Sequence, residues 1–218
     1  MIIYVKLQRN AKKGYWQVDR MDNRLIENEI FYCEPLMATE ENLRLIQKFH
    51  VATETGIGLE LYLKKYAVSD EISHEARTYL VKDNVTDEIV GYFSLKTGMV
   101  ASRRKWNFFH MDIDSVPGVE LANFAVNSVY KDAHKEQKGI GSIIFLDFVL
   151  PIVKMAAERV GVSIIYIFAL PYRNLIKYYE TLNFRRLSKI EEAFIHRNYK
   201  PKYDKGCIFM SRPLYAEE

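Results

Sequence analysis

The sequence predicts an α+β fold, layered α/β/α, in which a mixed and mainly antiparallel sheet carries one parallel strand pair in its second half. Three observations lead there. The element order is mixed: helices first, then three strands, then β-α-β-α-β-β. A continuous apolar run, Ser163–Leu170 (SIIYIFAL), has the length and composition of a buried strand. It follows a long helical stretch, so its link to the strand before that helix is a crossover, which pairs strands in parallel.

Along the chain, residues 2–8 (IIYVKLQ) and 15–19 (YWQVD) flank a polar Asn10–Gly14 segment and predict a hairpin. Residues 1–28 are therefore expected to form an N-terminal extension, a β-hairpin packed on a main domain of residues 29–218. A short strand at Ile30–Cys33 ends at Pro35. Thr39 predicts an N-cap, with Glu40 and Glu41 suited to the first turn, and Leu43, Ile46 and Phe49 keep helical spacing to about His50. Gly56 and Gly58 break that helix, and Leu59, Tyr62, Leu63 and Tyr66 predict a second. Ala76–Lys82 and Ile89–Lys96 read as paired strands around Asp83-Asn84, the second ended by Gly98. Residues 101–117 read as irregular and Pro117-Gly118 as a turn. Glu120–Val126 is a strand and 127–138 a polar loop. Gly139 opens a helix to about Val160, which Pro151 should kink or split. Tyr172–Leu182 is a helix; Phe184–Leu187 and Gly206–Met210 are short strands separated by a long loop.

With 49% hydrophobic and 27% charged residues, the 218-residue chain is neither disordered nor fibrous. A net charge of +3 is weak for a nucleic-acid binder, although residues 185–205 concentrate Arg185, Arg186, Lys189, Arg197, Lys200, Lys202 and Lys205. Cys33 and Cys207 form no CxxC pair, which predicts buried thiols in a reducing compartment. Five histidines without ligand spacing predict no metal. The apolar runs Ile143–Val153 and Ile164–Leu170 are too short to span a bilayer, so a soluble cytoplasmic protein with no membrane partner is expected.

Two motifs carry chemistry. The turn Gly139-Ile140-Gly141-Ser142 sits between a strand and a helix, where free backbone N–H groups and the helix dipole attract an anion. It lacks the Gly-Lys-Ser/Thr of a Walker loop and the third glycine of a dinucleotide fingerprint. About forty residues on, Tyr178-Tyr179-Glu180-Thr181-Leu182-Asn183-Phe184 follows the buried strand. Together they make residues 30–212 resemble the GNAT N-acetyltransferase superfamily. The strand ELANFAV (120–126) resembles the family's E-x-x-x-L-A-V. Glu136–Gly141 resembles its Q/R-x-x-G-x-G/A loop, YYETLNF its F-Y-E-K-L-G-F block, and GYFSL (91–95) its third strand. Glu136 departs from the usual Gln or Arg and is expected to point away from a phosphate; the loop before Gly139 is longer than usual.

The resemblance implies a GNAT-like sheet whose parallel pair, 120–126 and 163–170, splays apart around acetyl-CoA, the acyl-donor cosubstrate. Phe124, Ala125 and Val126 would pair with pantetheine. Lys138, Gly139, Ile140, Gly141 and Ser142 would hold the pyrophosphate, and Asn174 could replace an asparagine that the family has where Tyr172 stands. Tyr179 matches the tyrosine that protonates the leaving thiolate, with Tyr178 turned to the core. Glu120 matches the general base of some members, others using a water chain; His110, Asp112 and Asp114 are alternatives. The reaction implied is acetyl transfer to a primary amine by direct attack in a ternary complex. The acceptor is open: Phe194, His196, Tyr199 and Tyr203 lie in the last loop, and a toxin-like activity on aminoacyl-tRNA would suit Arg103, Arg104 and Lys105. A non-catalytic acyl-CoA-binding or regulatory protein is the competing reading. The chain would act as monomer or homodimer.

Overall fold

The structure, a computed structural model, describes residues 7–9, 16–18, 23–107, 110–198 and 206–215, and the side chains of 23–100, 115–197 and 206–215. The strands are β1 (Leu7–Arg9), β2 (Trp16–Val18), β3 (Ile26–Glu27), β4 (Phe31–Pro35), β5 (Arg77–Asp83), β6 (Ile89–Asn107), β7 (His110–Val126), β8 (Ile164–Ala169), β9 (Arg185–Arg186) and β10 (Ile208–Pro213). Between them come α1 (Glu40–Leu45), α2 (Ile57–Lys65), α3 (Ala67–Ile72), α4 (Ser128–Ala133), α5 (Ile140–Ile144), α6 (Leu150–Ala157), α7 (Arg173–Thr181) and α8 (Lys189–Asn198). One eight-stranded sheet runs β3-β4-β5-β6-β7-β8-β10-β9, and β1 pairs β2 in a separate antiparallel ribbon. Only β7 and β8 run parallel; every other pairing among the described strands is antiparallel. This is the predicted α+β class.

The sheet separates two bodies of apolar packing. One face buries Ile144, Phe145, Phe148, Val149 and Val153 of the long helix, and Ile176, Tyr179 and Leu182 around α7, against Phe93, Leu121, Ile165 and Ile167. The opposite face carries two smaller clusters. Tyr62, Leu63 and Ala67 of α2 and α3 pack with Leu80, Tyr92 and Ala125. Farther along, Ile195 of α8 packs with Val100, Tyr166 and Phe209. Thr39 caps α1 as expected, its hydroxyl accepting from Asn42 N at 3.2 Å. Both cysteines are buried.

The helix opened by Gly139 is continuous over Ile140–Ala157 and does not split at Pro151. A π-helical stretch, Phe145–Val149, precedes the proline. Its wider turn accommodates the missing N–H and the ring of Pro151. By length and hydropathy alone this helix could cross a membrane, but nearly half of it is buried inside the protein, as in a core helix.

Four expectations are corrected. The 127–138 segment contains α4, and the 188–205 loop contains α8. Gly98 does not end a strand and Pro117-Gly118 is not a turn. Met99 pairs Pro117 and Gly98 pairs Gly118 inside a long β6–β7 hairpin. The glycines make room for a ring. A Cβ on Gly98 would lie 1.8 Å from Tyr166 Oη, and one on Gly118 3.0 Å from Tyr166 Cδ1. Tyr166, 6% exposed, thus lies across both glycines and stacks on Phe209.

Gly98→Ala is expected to cost about 1–3 kcal/mol in urea denaturation, the usual cost of overpacking. In a Gly98→Ala, Tyr166→Phe double mutant the two costs should add to less than their sum, because the atom at 1.8 Å is gone. Strict additivity would show that Tyr166 does not set this contact.

Candidate functional site

The site is built around an unequal pairing of β7. On one edge it is bonded to β6 from end to end, whereas on the other it meets β8 only at Gly118↔Ile164, Val119↔Ile165 and Glu120↔Tyr166. Beyond Glu120 the two parallel strands part, leaving the β7 backbone at Phe124, Ala125 and Val126 without a strand partner on that side. A bulge sits at the same place. Leu121 pairs Leu95 and Asn123 pairs Ser94, so Ala122 is the extra residue.

Below the parting, Gly139 takes a left-handed φ of 72° as N-cap of α5 and has nothing within 4 Å of an ideal Cβ. A cavity of about 390 Å³ opens there, lined by Val126, Lys131, Asp132, Lys135, Gln137, Lys138, Gly139, Ile140 and Gly141. Lys138, Gly139, Ile140, Gly141 and Val126 were all picked out by sequence. Lys131 and Lys135 were not: α4 stops at Ala133, so Lys135 and Lys138 follow it in the turn before Gly139 and no periodic signal marks the set. Glu136 is exposed and 3.4 Å from His134, turned out of the cavity. Asn174 is exposed in the first turn of α7 and does not line it.

The wall bearing these lysines is pinned from behind. Tyr130 on α4 donates to Asp83 Oδ2 at 2.6 Å and stacks on His134, and its hydroxyl lies 3.2 Å from Gln137 Oε1. Asn127, 8% exposed, donates to Ile89 O at 2.8 Å while its Oδ1 accepts from Val129 N and His50 N. It joins the 50–52 segment, β6 and α4. Neither residue carried a motif signal.

The two tyrosines of α7 divide differently from the expectation. The Tyr178 hydroxyl is the one beside the turn. It would meet a Cβ on Gly141 at 2.8 Å, and among the described residues it is buried without a well-formed hydrogen bond. Burial pushes its phenol up to about 12, the nearby Ser142 hydroxyl opposing. Tyr179, 8% exposed, packs edge-on against Phe184 and beside Tyr178. Burial, then the neighbouring Tyr178, raises its phenol well above the ordinary value, so both tyrosines stay protonated at neutral pH.

On the opposite face a polar strip separates the α2/α3 cluster from the α8 cluster. Glu120 pairs Lys96 across the β6–β7 ladder. Lys96 is 3.8 Å from Asp70 Oδ2, and Tyr62 donates to Asp70 at 3.1 Å. Glu60 fixes α2 by accepting from Val51 N at 3.0 Å and Lys64 Nζ at 2.6 Å, which, with the His50 ring, hold its carboxyl down at about 2. Burial raises the Glu120 carboxyl above the usual range, and Lys96 partly offsets the rise. A half-buried carboxylate held in this way is a stronger proton acceptor than an exposed one. The side chains of 101–114, with Arg103, Arg104, Lys105, His110, Asp112 and Asp114, lie outside the described residues, as do Tyr199, Lys200, Lys202, Tyr203 and Lys205.

Among the described residues Lys96 is the charge that lowers the Glu120 pKa, so in Lys96→Met that pKa should climb further, followed by carboxyl carbon NMR. A fall, or no change, would mean that Lys96 does not reach Glu120. The Glu120 contribution to stability has the matching sign. With a folded pKa above the unfolded one, the ionised carboxylate opposes folding as pH rises through the folded value, and does so more in Lys96→Met.

No family model matches the sequence. Solved structures do match in fold. A Tyr-to-Phe mutant of the AtaT toxin aligns over 84% of this chain and 89% of its own at 17% identity and TM-score 0.60. A Tyr-to-Phe mutant of KacT aligns over 85% and 96% at 16% identity and TM-score 0.60. AtaT complexed with acetyl-methionyl-tRNAfMet aligns over 82% and 93% at 17% identity and TM-score 0.56. The mostly antiparallel eight-stranded sheet with one parallel pair and flanking helices matches the GNAT fold of these neighbours.

Proposed function

We propose that the chain is an acetyl-CoA-dependent N-acetyltransferase. The observation that carries this reading is the lysine-lined cavity at the Gly139–Gly141 turn, opening where β7 and β8 part. Three ammonium groups, an open left-handed glycine and the amides that begin a helix suit a polyphosphate. The strand edge above them suits an amide-bearing arm such as pantetheine. Fold neighbours described as AtaTR bound with acetyl-CoA support the same reading.

In this reading Lys131, Lys135 and Lys138 bind the phosphates, and amides of residues 138–142 orient the pyrophosphate. Backbone N–H groups of Phe124, Ala125 or Val126 face the thioester carbonyl and stabilise the charge that develops on its oxygen. Glu120, its proton affinity raised by burial, takes a proton from the acceptor ammonium. The amine nitrogen bonds the acetyl carbon, the carbon–sulfur bond breaks, a tyrosine of α7 gives its proton to the thiolate, and the second proton that the nitrogen sheds as the amide forms restores that phenol. Tyr179 holds that role by the family resemblance, and Tyr178 binds at the turn. The acceptor is a primary amine. The fold neighbour in complex with acetyl-methionyl-tRNAfMet supports an aminoacyl-tRNA amine as the finer reading. A cytoplasmic location goes with it.

Calorimetric titration tests the reading. Wild type should bind acetyl-CoA at micromolar Kd, and Gly139→Glu, which puts a carboxylate into the open space before the turn, should lose at least about tenfold, since about 1.4 kcal/mol is one decade. A folded wild type that binds neither acetyl-CoA nor CoA would sink it.

The tyrosines are separable by kinetics. Tyr179→Phe should lower kcat by about 10²–10⁴, the span of general acid catalysis, with acetyl-CoA affinity unchanged. Tyr178→Phe should act mainly on cofactor affinity. The reverse pattern would move the acid role to Tyr178. The rate should fall on the acid side as Glu120 is protonated, and Glu120→Gln should flatten that limb.

A further inference from the structure

We infer that the side-chain amide of Asn123 is a hydrogen-bond donor to a carbonyl oxygen of a bound substrate. The inference rests on the transferase reading and adds a residue to it that no motif contains.

Three observations converge on this position. Asn123 is 6% exposed, and its side-chain NH2 is buried with no hydrogen-bond partner among the described residues. A buried donor left unpaired carries the full desolvation cost, and native proteins seldom tolerate one unless something outside the chain completes it. Ser94, its partner across the ladder, turns its hydroxyl to Thr78 at 2.9 Å and makes no bond to this amide.

The register then fixes where this amide points. Glu120 pairs Lys96 and Asn123 pairs Ser94. Lys96 and Ser94 are two residues apart on one strand and so share a face. Glu120 and Asn123 therefore share that face too, although they are an odd three positions apart, because the bulge at Ala122 shifts the alternation by one. Without the bulge Asn123 would face the α5–α7 core. The amide thus stands on the same side as the candidate base, about 7 Å farther along the sheet at roughly 3.4 Å per residue. It lies on the stretch of β7 that no longer pairs with β8.

A carboxylate that accepts the amine proton and an amide donor one pleat away suit the two ends of the reacting assembly. The donor takes an oxygen, and in this reaction the oxygens within reach are carbonyls. They have two sources: the thioester of the acyl donor, or a carbonyl next to the amine of the acceptor.

Asn123→Leu and Asn123→Asp are compared with wild type, each first checked for CoA binding and melting temperature. Removing an unpaired buried donor should leave the melting temperature of Asn123→Leu unchanged or higher, whereas a donor with a structural partner would lower it. If the thioester is the source, wild type binds acetyl-CoA more tightly than CoA and both variants lose that preference. If the acceptor is the source, both variants lose about ten- to hundredfold in kcat/KM for an amino acid amide, while a simple alkylamine of matched pKa loses nothing. Variants that keep both preferences and the full rate overturn the assignment. A wild type that binds no CoA overturns instead the transferase reading beneath it.

Discussion

Everything at the site depends on β7 being bonded along one edge and released along the other. Its pairing with β6 runs the length of the strand, bulges apart, yet its pairing with β8 stops after Glu120. Backbone groups past that point would be costly to leave unpaired in a dry interior. They are tolerated where something can reach them. The parting is held open from both faces: the long helix and α7 pack a continuous core under one side, and α2 and α3 pack Tyr92 and Ala125 on the other. Tyr166, laid across Gly98 and Gly118, anchors the closed end of the pair.

Charge is distributed along this axis with a clear polarity. Lys131, Lys135 and Lys138 line the cavity at the Gly139 end. Glu120 and Asp70 stand on the opposite face, with Lys96 against Asp70. An anion is favoured at the first end and a cation at the second, in keeping with the transfer proposed above. The chain's net charge of +3 is a sum over 31 basic and 28 acidic side chains and carries no record of where either sign is concentrated.

Much of the arrangement was legible in the sequence where one residue type has one local consequence. Thr39 capped its helix, the apolar run at Ser163–Leu170 became the central strand β8, and the Gly139 turn opened the long helix. The misreadings share a cause. Gly98, Pro117 and Gly118 are turn formers in isolation, but here they lie in paired strands and the two glycines serve a tyrosine about fifty to seventy residues away, so tertiary packing outweighs local propensity. The direction of Tyr178 against Tyr179 was hidden for the same reason: adjacent helical positions differ by about 100°, and only the position of α7 against the Gly141 turn decides which one meets it. Asn123 was invisible because its facing depends on a bulge that no short pattern announces.

The approach of Tyr178 to Gly141 has an evolutionary corollary. The phenol fills the space that a methyl group would need, so neither position can change size alone. Alanine at 141 is compatible only with a side chain at 178 that stops short of the hydroxyl, and a full phenol at 178 confines 141 to glycine. The two sites, nearly forty residues apart, should drift through sequence space as a coupled pair. A substitution at one then acts as a permissive or forbidding background for the other.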